Sequence, residues 1–312
     1  MRISSNLSIQ NLVILGPTAT GKTQLAVQIA KKFNGEIISA DSRQVYRGMD
    51  IGTGKDLKDY TIDGISIPYH LIDIIDPTEN YNVAKFQTDA IKISNKIKNK
   101  GILPIICGGT GFYIKALLMD FNIPETKPNL TLRKKLEELS LNELISKLET
   151  ISEGASKRNL IDTKRRVIRA IEIENDNINH HYKIDSNNHS SNKINNYLVL
   201  GILYERDEIR QRITTRLNKR LESGMIEEVE KLIKLGVTKS RLESFGLEYR
   251  YLSRYLSGEI NKLEMISLLN TAIHQFAKKQ MTFFRNMEKN GIKINWIPKG
   301  NLDLAINQIY KT

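Results

Sequence analysis

A single cysteine, Cys107, stands among 312 residues, which excludes an internal disulfide and any zinc site built from several cysteines. No apolar run approaches the roughly 20 residues that a membrane-spanning helix needs. The opening segment MRISSNLSIQ lacks the apolar centre of a secretory leader. These absences predict a cytoplasmic protein with no membrane partner. Acidic residues are also scarce: 35 Asp and Glu face 47 Lys and Arg, for a formal net charge of +12. Such an excess suits a polyanionic partner, nucleic acid first. A genome that favours lysine codons would also produce runs such as KISNKIKNK (92–100), so composition alone leaves both readings open.

With 40% hydrophobic and 26% charged residues, the chain has the make-up of a soluble globular protein. Its length suits a main domain with a large insertion, and no internal repeat is visible. NLVILG (11–16), GEIISAD (35–41), YHLIDIID (69–76) and ILPIICGG (102–109) read as strands. Between them, TQLAVQIAKKF (23–33) and VAKFQTDAIKISNKIKNKG (83–101) carry helical spacing. Strands separated by helices imply a parallel sheet covered on both faces. After Leu118 the rhythm becomes helical, at 130–139, 141–149 and 163–174, and then gives way to the polar stretch 175–196, predicted to be a mobile loop. YLVLGILYE (197–205) returns to the main sheet, followed by helices over 206–224, 227–236 and about 260–289 and a last strand at 292–297. The predicted fold is α/β, a P-loop NTPase-like parallel sheet flanked by helices with an inserted helical domain. Residues 1–118 and 197–312 form the two parts of the core, and 119–196 form the insertion.

GPTATGKT (16–23) fits G-x-x-x-x-G-K-[ST], directly after a strand and directly before a helix. Gly16 and Gly21 permit a tight loop through Pro17, Thr18, Ala19 and Thr20, whose N–H groups can ring a phosphate. The helix that follows adds its positive end, Lys22 a point charge, and Thr23 a hydroxyl able to hold Mg²⁺. Whose phosphates these are, a nucleotide's or another diphosphate's, the loop does not say. Asp41 closes the second strand at the same sheet edge, where a carboxylate can serve as general base or can cap a turn, with Ser42 as a competing cap.

DSRQVYRGMDIGTGK (41–55) resembles the D-S-x-Q-x-Y-x-G-M-D-I-G-T-x-K signature of the tRNA dimethylallyltransferase (MiaA) family, also called tRNA isopentenyltransferases. GGTGFYIKALL (108–118), KRRVIRAIEI (164–173) and HQFAKKQMTFFR (274–285) are similar to three further family segments, in family order. The resemblance implies transfer of a dimethylallyl group from its diphosphate to the exocyclic N6 amine of the adenosine 3′ of the tRNA anticodon. It implies that residues 16–23 hold the diphosphate with Mg²⁺ on Thr23, that Asp41 takes the proton, and that Thr110 lies where base and donor meet. An arginine after the insertion, Arg212 or Arg216, would steady the leaving diphosphate, with Arg216 preferred. Asp41, Ser42, Arg43 and Gln44 would receive the flipped adenosine, with Gln44 offering an acceptor and donors to its edge. Lys164, Arg165, Arg166, Val167 and Ile168 would meet the anticodon stem-loop.

His274, Lys278, Met281 and Arg285 share one helical stripe, which serves either as a solvated face or as an RNA contact, and the resemblance favours the second. Arg43, His274 and Phe284 depart from the residues usual in the family, but none of these departures touches Lys22, Thr23 or Asp41. His180, His181 and His189 lack ligand spacing, Cys107 reads as packing and Trp296 as core. The chain is expected to act as a monomer. Two rivals share parts of this pattern: a P-loop kinase of a nucleoside or small hydroxyl substrate, and a non-catalytic RNA-binding protein. The strand at 102–107 ends in Cys-Gly-Gly where a kinase would place a second carboxylate for its metal, and an intact phosphate loop argues against binding alone.

Overall fold

Short runs of wholly buried residues build the sheet. β1 (Asn11–Leu15) and β2 (Gly35–Ser39) expose no residue, as expected of strands covered on both faces. A two-stranded hairpin, β3 (Thr61–Ile62) and β4 (Ile65–Ser66), follows, then β5 (Tyr69–His70), β6 (Leu103–Gly108), β7 (Tyr197–Leu203) and β8 (Asn295–Pro298). The computed structural model describes residues 9–119, 123–124, 126–158, 161–180 and 196–312. Six strands pair in the order β5-β2-β6-β1-β7-β8, every pair parallel.

Thirteen α-helices occur among the described residues. α1 (Lys22–Phe33), α2 (Val83–Asn99) and α3 (Gly111–Leu118) precede the insertion. Within it lie α4 (Leu130–Glu137), α5 (Leu141–Ile151), α6 (Ala155–Arg158) and α7 (Lys164–His180). After it come α8 (Arg206–Glu222), α9 (Met225–Lys234), α10 (Lys239–Ser244), α11 (Leu247–Leu256), α12 (Lys262–Lys289) and α13 (Leu302–Tyr310). Side chains of a strand alternate between faces. Leu12 and Ile14 accordingly join α1 and α13 through Ile29, Phe33 and Ile306, while Val13 and Leu15 join α2, α3 and α12 through Phe86, Leu117 and Phe284. A third cluster, centred on Phe245, Tyr249, Leu252 and Leu269, packs α8 to α12 around Val45, Tyr46 and Met49. That cluster holds the segment after β2 in place.

The chain leaves β1, passes over the position of β6 to reach β2, returns to β6, and later continues on the other side of β1 at β7. Connections reverse beside β1, so a crevice opens at the carboxyl ends of β1, β6 and β2.

The chain divides into two compact units, residues 1–121 with 191–312, and residues 122–190. The smaller is a helical cluster around Leu136, Leu144, Leu148, Val167 and Ile171. α5 opens with a reciprocal capping box between Ser140 and Glu143. Burial alone would raise the Glu172 carboxyl, yet a bidentate pair with Arg133, the Asn129 amide and Arg169 hold it below its usual range.

Several predicted boundaries shift. The strand expected over 69–76 stops at His70, because Leu71 and Asp73 take positive φ and turn the chain. The last strand lies at Asn295–Pro298, a little later than 292–297. The loop expected over 175–196 begins as helix: no Gly or Pro interrupts α7 before His180, and residues 181–195, with His181 and His189, lie outside the described residues.

Candidate active site

The phosphate loop leaves β1 at Leu15. Ala19 and Gly21 take positive φ, 63° and 80°, folding the chain back on itself. The Thr20 hydroxyl donates to Pro17 O at 2.9 Å and braces the loop from within. α1 starts at Lys22 with no side-chain cap, so the N–H groups of its first turn remain available for an anion. Lys22 Nζ donates to Pro17 O at 2.6 Å, and the Tyr60 hydroxyl lies beside that of Thr23. From outside, Arg212 Nε donates to Ala19 O at 2.9 Å while its guanidinium lies over the Tyr204 ring.

Asp41 lies two residues beyond β2. Its Oδ1 accepts from the backbone N–H of Arg43 at 2.8 Å and of Gln44 at 3.4 Å. Its Oδ2 has no hydrogen-bond partner among the described residues, and Asp41 lines the cleft. Thr110 Oγ1 accepts from Ser42 N at 3.0 Å, tying the end of β6 to this turn. Gly108 permits the approach, since a Cβ there would overlap the backbone of Ala40. Gln44 is held at both ends: Oε1 accepts from the Ser39 hydroxyl at 2.9 Å and Nε2 donates to Gly54 O at 3.2 Å. One lone pair and one hydrogen are therefore left to it, fewer than its sequence position offers.

The loop at 50–55 is anchored from two sides. Glu228 of α9 accepts from the N–H groups of Asp50, Ile51 and Gly52 and from the Tyr249 hydroxyl. The fully buried Lys55 ammonium donates to Tyr46 O, Asp50 and Asp73. At its tip, Gly54 has φ +67°, and a Cβ there would overlap the guanidinium of Arg220. Arg220 and Arg216 are neighbours on α8, near Glu248 and Asp56. Burial, then repulsion from Arg220, pulls Arg216 down to about 10. Arg216 lines the cleft and makes no hydrogen bond among the described residues.

These elements enclose a cleft of about 600 Å³. Its polar floor is the phosphate loop and Asp41, and Ile273, Phe276, Phe283 and Leu247 supply apolar wall. Burial pushes the Cys107 thiol up to about 12, which suits packing and not nucleophilic attack. Burial also lowers Arg43. Lys22 drops to about 8, chiefly through burial.

A bound diphosphate favours the charged ammonium and raises its pKa, so binding above pH 8 draws in a proton. We expect diphosphate affinity to fall up to about tenfold for each pH unit above that point, since one unit is about 1.4 kcal/mol. Calorimetry with inorganic diphosphate in buffers of different ionisation heat measures this. Lys22→Arg, charged throughout, provides the reference for the ligand's own titration, and identical pH profiles for the two proteins would refute the expectation.

Residues 18–23, Asp41 to Gln44, Thr110, Arg212 and Arg216 line one cleft; Pro17 O accepts from Thr20 and Lys22 of that lining, and a Cβ on Gly16 would crowd the Thr20 hydroxyl. In the smaller unit, Lys164, Arg165 and Arg166 are exposed, whereas Val167 and Ile168 face its core and present no side chain to a partner. His274 is partly buried against α8, with Nε2 3.2 Å from Arg210 O, while Lys278 and Arg285 of the same stripe are exposed. Trp296 is half-buried and donates to Glu288 Oε1 at 3.0 Å. Four structural participants went unread in the sequence: Lys55, Arg220, Glu228 and Gln280. Lys55 and Gln280 lie inside quoted motifs, but one Lys55 ion pair depends on the distant Asp73 and Gln280, like Arg220 and Glu228, sits in a helix whose polar residues look solvated.

The profile of the IPP transferase family matches residues 44–287, and that of the isopentenyl transferases matches residues 9–65. The tRNA dimethylallyltransferase 1 of Azobacteroides pseudotrichonymphae is 48% identical over 304 residues, 96% of each chain. A Bacteroides fragilis tRNA dimethylallyltransferase 2 is 47% identical, over 92% of each. Among solved structures, a tRNA isopentenylpyrophosphate transferase from Bacillus halodurans superposes with TM-score 0.67 at 33% identity, covering 97% of this chain and 95% of that one. A eukaryotic dimethylallyltransferase acting on tRNA shares the fold at TM-score 0.74 and 23% identity, covering 94% and 74%.

Proposed function

The chain belongs to the IPP transferase family, and we propose that it transfers a dimethylallyl group from dimethylallyl diphosphate to N6 of the adenosine 3′ of the anticodon in tRNA. The observation that carries this reading is the meeting, in one cleft, of an uncapped phosphate loop, a carboxylate with one unengaged oxygen and an uncommitted arginine. The diphosphate sits on the amides of residues 19–23 under Lys22, and the hydrocarbon tail lies against the apolar wall. N6 attacks the allylic carbon, the carbon–oxygen bond to diphosphate breaks, and the N6 proton passes to Asp41 Oδ2. Charge that grows on the departing oxygen meets Lys22 and Arg216, a preorganised field that water would otherwise have to supply.

Thr23 offers one hydroxyl beside the loop, and no group of three His, Cys, Asp or Glu able to hold a metal occurs among the described residues. That donor set fits Mg²⁺, which retains waters and leans on substrate phosphates. When bound, Mg²⁺ would neutralise part of the diphosphate charge.

The insertion's exposed Lys164, Arg165 and Arg166 and the outer face of α12, with Lys278 and Arg285, are the surfaces assigned to the anticodon stem-loop, a use for the chain's basic excess. Ser42 and Arg43 border the base, and Thr110 holds their turn in place. We take the protein to act as a monomer in the cytoplasm. No helix among the described residues is long and apolar enough to cross a membrane. The kinase alternative is set aside, because the relatives that match nearly the whole chain are prenyltransferases.

The test is nucleoside mass spectrometry of unmodified tRNA incubated with the protein, Mg²⁺ and dimethylallyl diphosphate. Adenosine should gain one isopentenyl group without ATP. No gain, together with ATP hydrolysis in the presence of a nucleoside, would overturn the assignment in favour of the kinase.

A further inference from the structure

The phosphate loop and the end of β6, whose Thr110 holds the Asp41 turn, part company where the sheet ends. The β1–β6 ladder runs from Leu12↔Ile105 to Leu15↔Gly108 and stops there. Beyond it, one side chain rejoins the two. Gln280 of α12, 8% exposed, accepts from Thr18 N at 2.9 Å through Oε1 and donates to Gly109 O at 2.8 Å through Nε2. Thr110, the next residue, holds Ser42 N, and Asp41 accepts from Arg43 N. A continuous hydrogen-bonded path therefore runs from the phosphate loop through Gln280 to the acceptor side. No other side chain among the described residues bonds both loops.

We propose that Gln280 is a positioning residue that fixes the donor's diphosphate relative to the acceptor's base. This rests on the transferase reading above. The chemistry of the amide accounts for the residue type. Thr18 needs an acceptor and Gly109 needs a donor. A carboxylate supplies only acceptors and a lysine only donors, and either places a charge beside the diphosphate. Glutamine meets both needs and stays neutral. Displacement at an allylic carbon depends on alignment, and misplacement by about 1 Å costs on the order of 10²-fold. A residue that joins the two halves acts on that alignment more than on either binding step.

The experiment compares Gln280→Leu and Gln280→Glu with the unmodified chain. Three readouts are taken: single-turnover prenyl transfer at saturating substrates, binding of tRNA and of inorganic diphosphate, and backbone amide exchange in peptides covering 16–20 and 108–111. In Gln280→Leu, transfer should fall about 10²-fold, tRNA affinity should change less than about threefold, and both peptides should exchange faster. Gln280→Glu regains a donor when its carboxyl protonates. Its rate relative to the unmodified chain should rise as pH falls towards about 5, where a model glutamate begins to take up its proton.

A Gln280→Leu rate within about threefold of the unmodified chain, a loss that resides wholly in tRNA binding, or unchanged exchange in both peptides would overturn the proposal. If Gln280→Leu does not fold, the near-isosteric Gln280→Glu decides by its pH ratio, a flat ratio overturning the idea. An unmodified chain that transfers no prenyl group would instead sink the transferase reading, and amide exchange alone would then decide whether Gln280 joins the loops.

Discussion

Asp41→Asn will cut prenyl transfer by about 10³-fold while tRNA affinity stays within about threefold of the unmodified protein, within the usual range for a lost general base. The argument lies in the two carboxylate oxygens. Oδ1 serves structure, accepting from Arg43 N and Gln44 N, and the asparagine oxygen can replace it. Oδ2 is the oxygen without a partner, and asparagine puts an N–H₂ there that cannot accept the N6 proton. The turn therefore survives and the base disappears. Single-turnover kinetics beside equilibrium tRNA binding separate these effects. If tRNA binding is lost along with turnover, Asp41 serves recognition, and the non-catalytic RNA-binding alternative regains ground.

Arg216→Gln is expected to lower transfer by about 10² to 10³-fold, the range seen when one preorganised stabiliser of developing negative charge is removed. Arg212→Gln should cost less than about tenfold. The two arginines lie one turn apart on α8 but do different work. Arg212 also lines the cleft, but it spends its Nε on Ala19 O and stacks on Tyr204, so its guanidinium is committed to bracing the loop. Arg216 has no such bond, lines the cleft and is held close to Arg220, whose charge opposes its own. An anion between loop and helix relieves that repulsion. For the same reason Arg216→Gln should leave the melting temperature unchanged or slightly raised, whereas a mainly structural residue would lower it. Equal losses at both positions, or a larger one at Arg212, would reverse the assignment.

Much of this site is legible along the chain because the chemistry is local. A phosphate loop is eight consecutive residues whose glycines, lysine and threonine act where they stand. Asp41 follows a strand directly, and a strand's carboxyl end is where open sheets place ligands. The segment 41–55 carries its own signature, and the core strands declare themselves by unbroken apolar runs. Where the reading slipped, a long-range contact or a backbone turn was responsible. Val167 and Ile168 sit within a basic stretch, yet helical periodicity turns them into the core of the smaller unit. His274 belongs to a stripe that looks solvated until α8 covers it. The Gln44 amide, open at both ends in the sequence, keeps one lone pair and one hydrogen once Ser39 and Gly54 have taken the others.

The sequence alone determined the α/β sheet, the phosphate loop, the candidate base and the family resemblance, since each depends on residues close together in the chain. Only the tertiary structure decided which arginine is uncommitted, which oxygen of Asp41 is free, and how the loops at 16–23, 41–55 and 108–110 are held at one edge. Those answers rest on partners such as Glu228, Arg220 and Gln280, far away in sequence. A polar residue on a helix gives no local sign of whether it meets water or another chain segment. Its role emerges only when folding buries it against a group that needs its hydrogen bond.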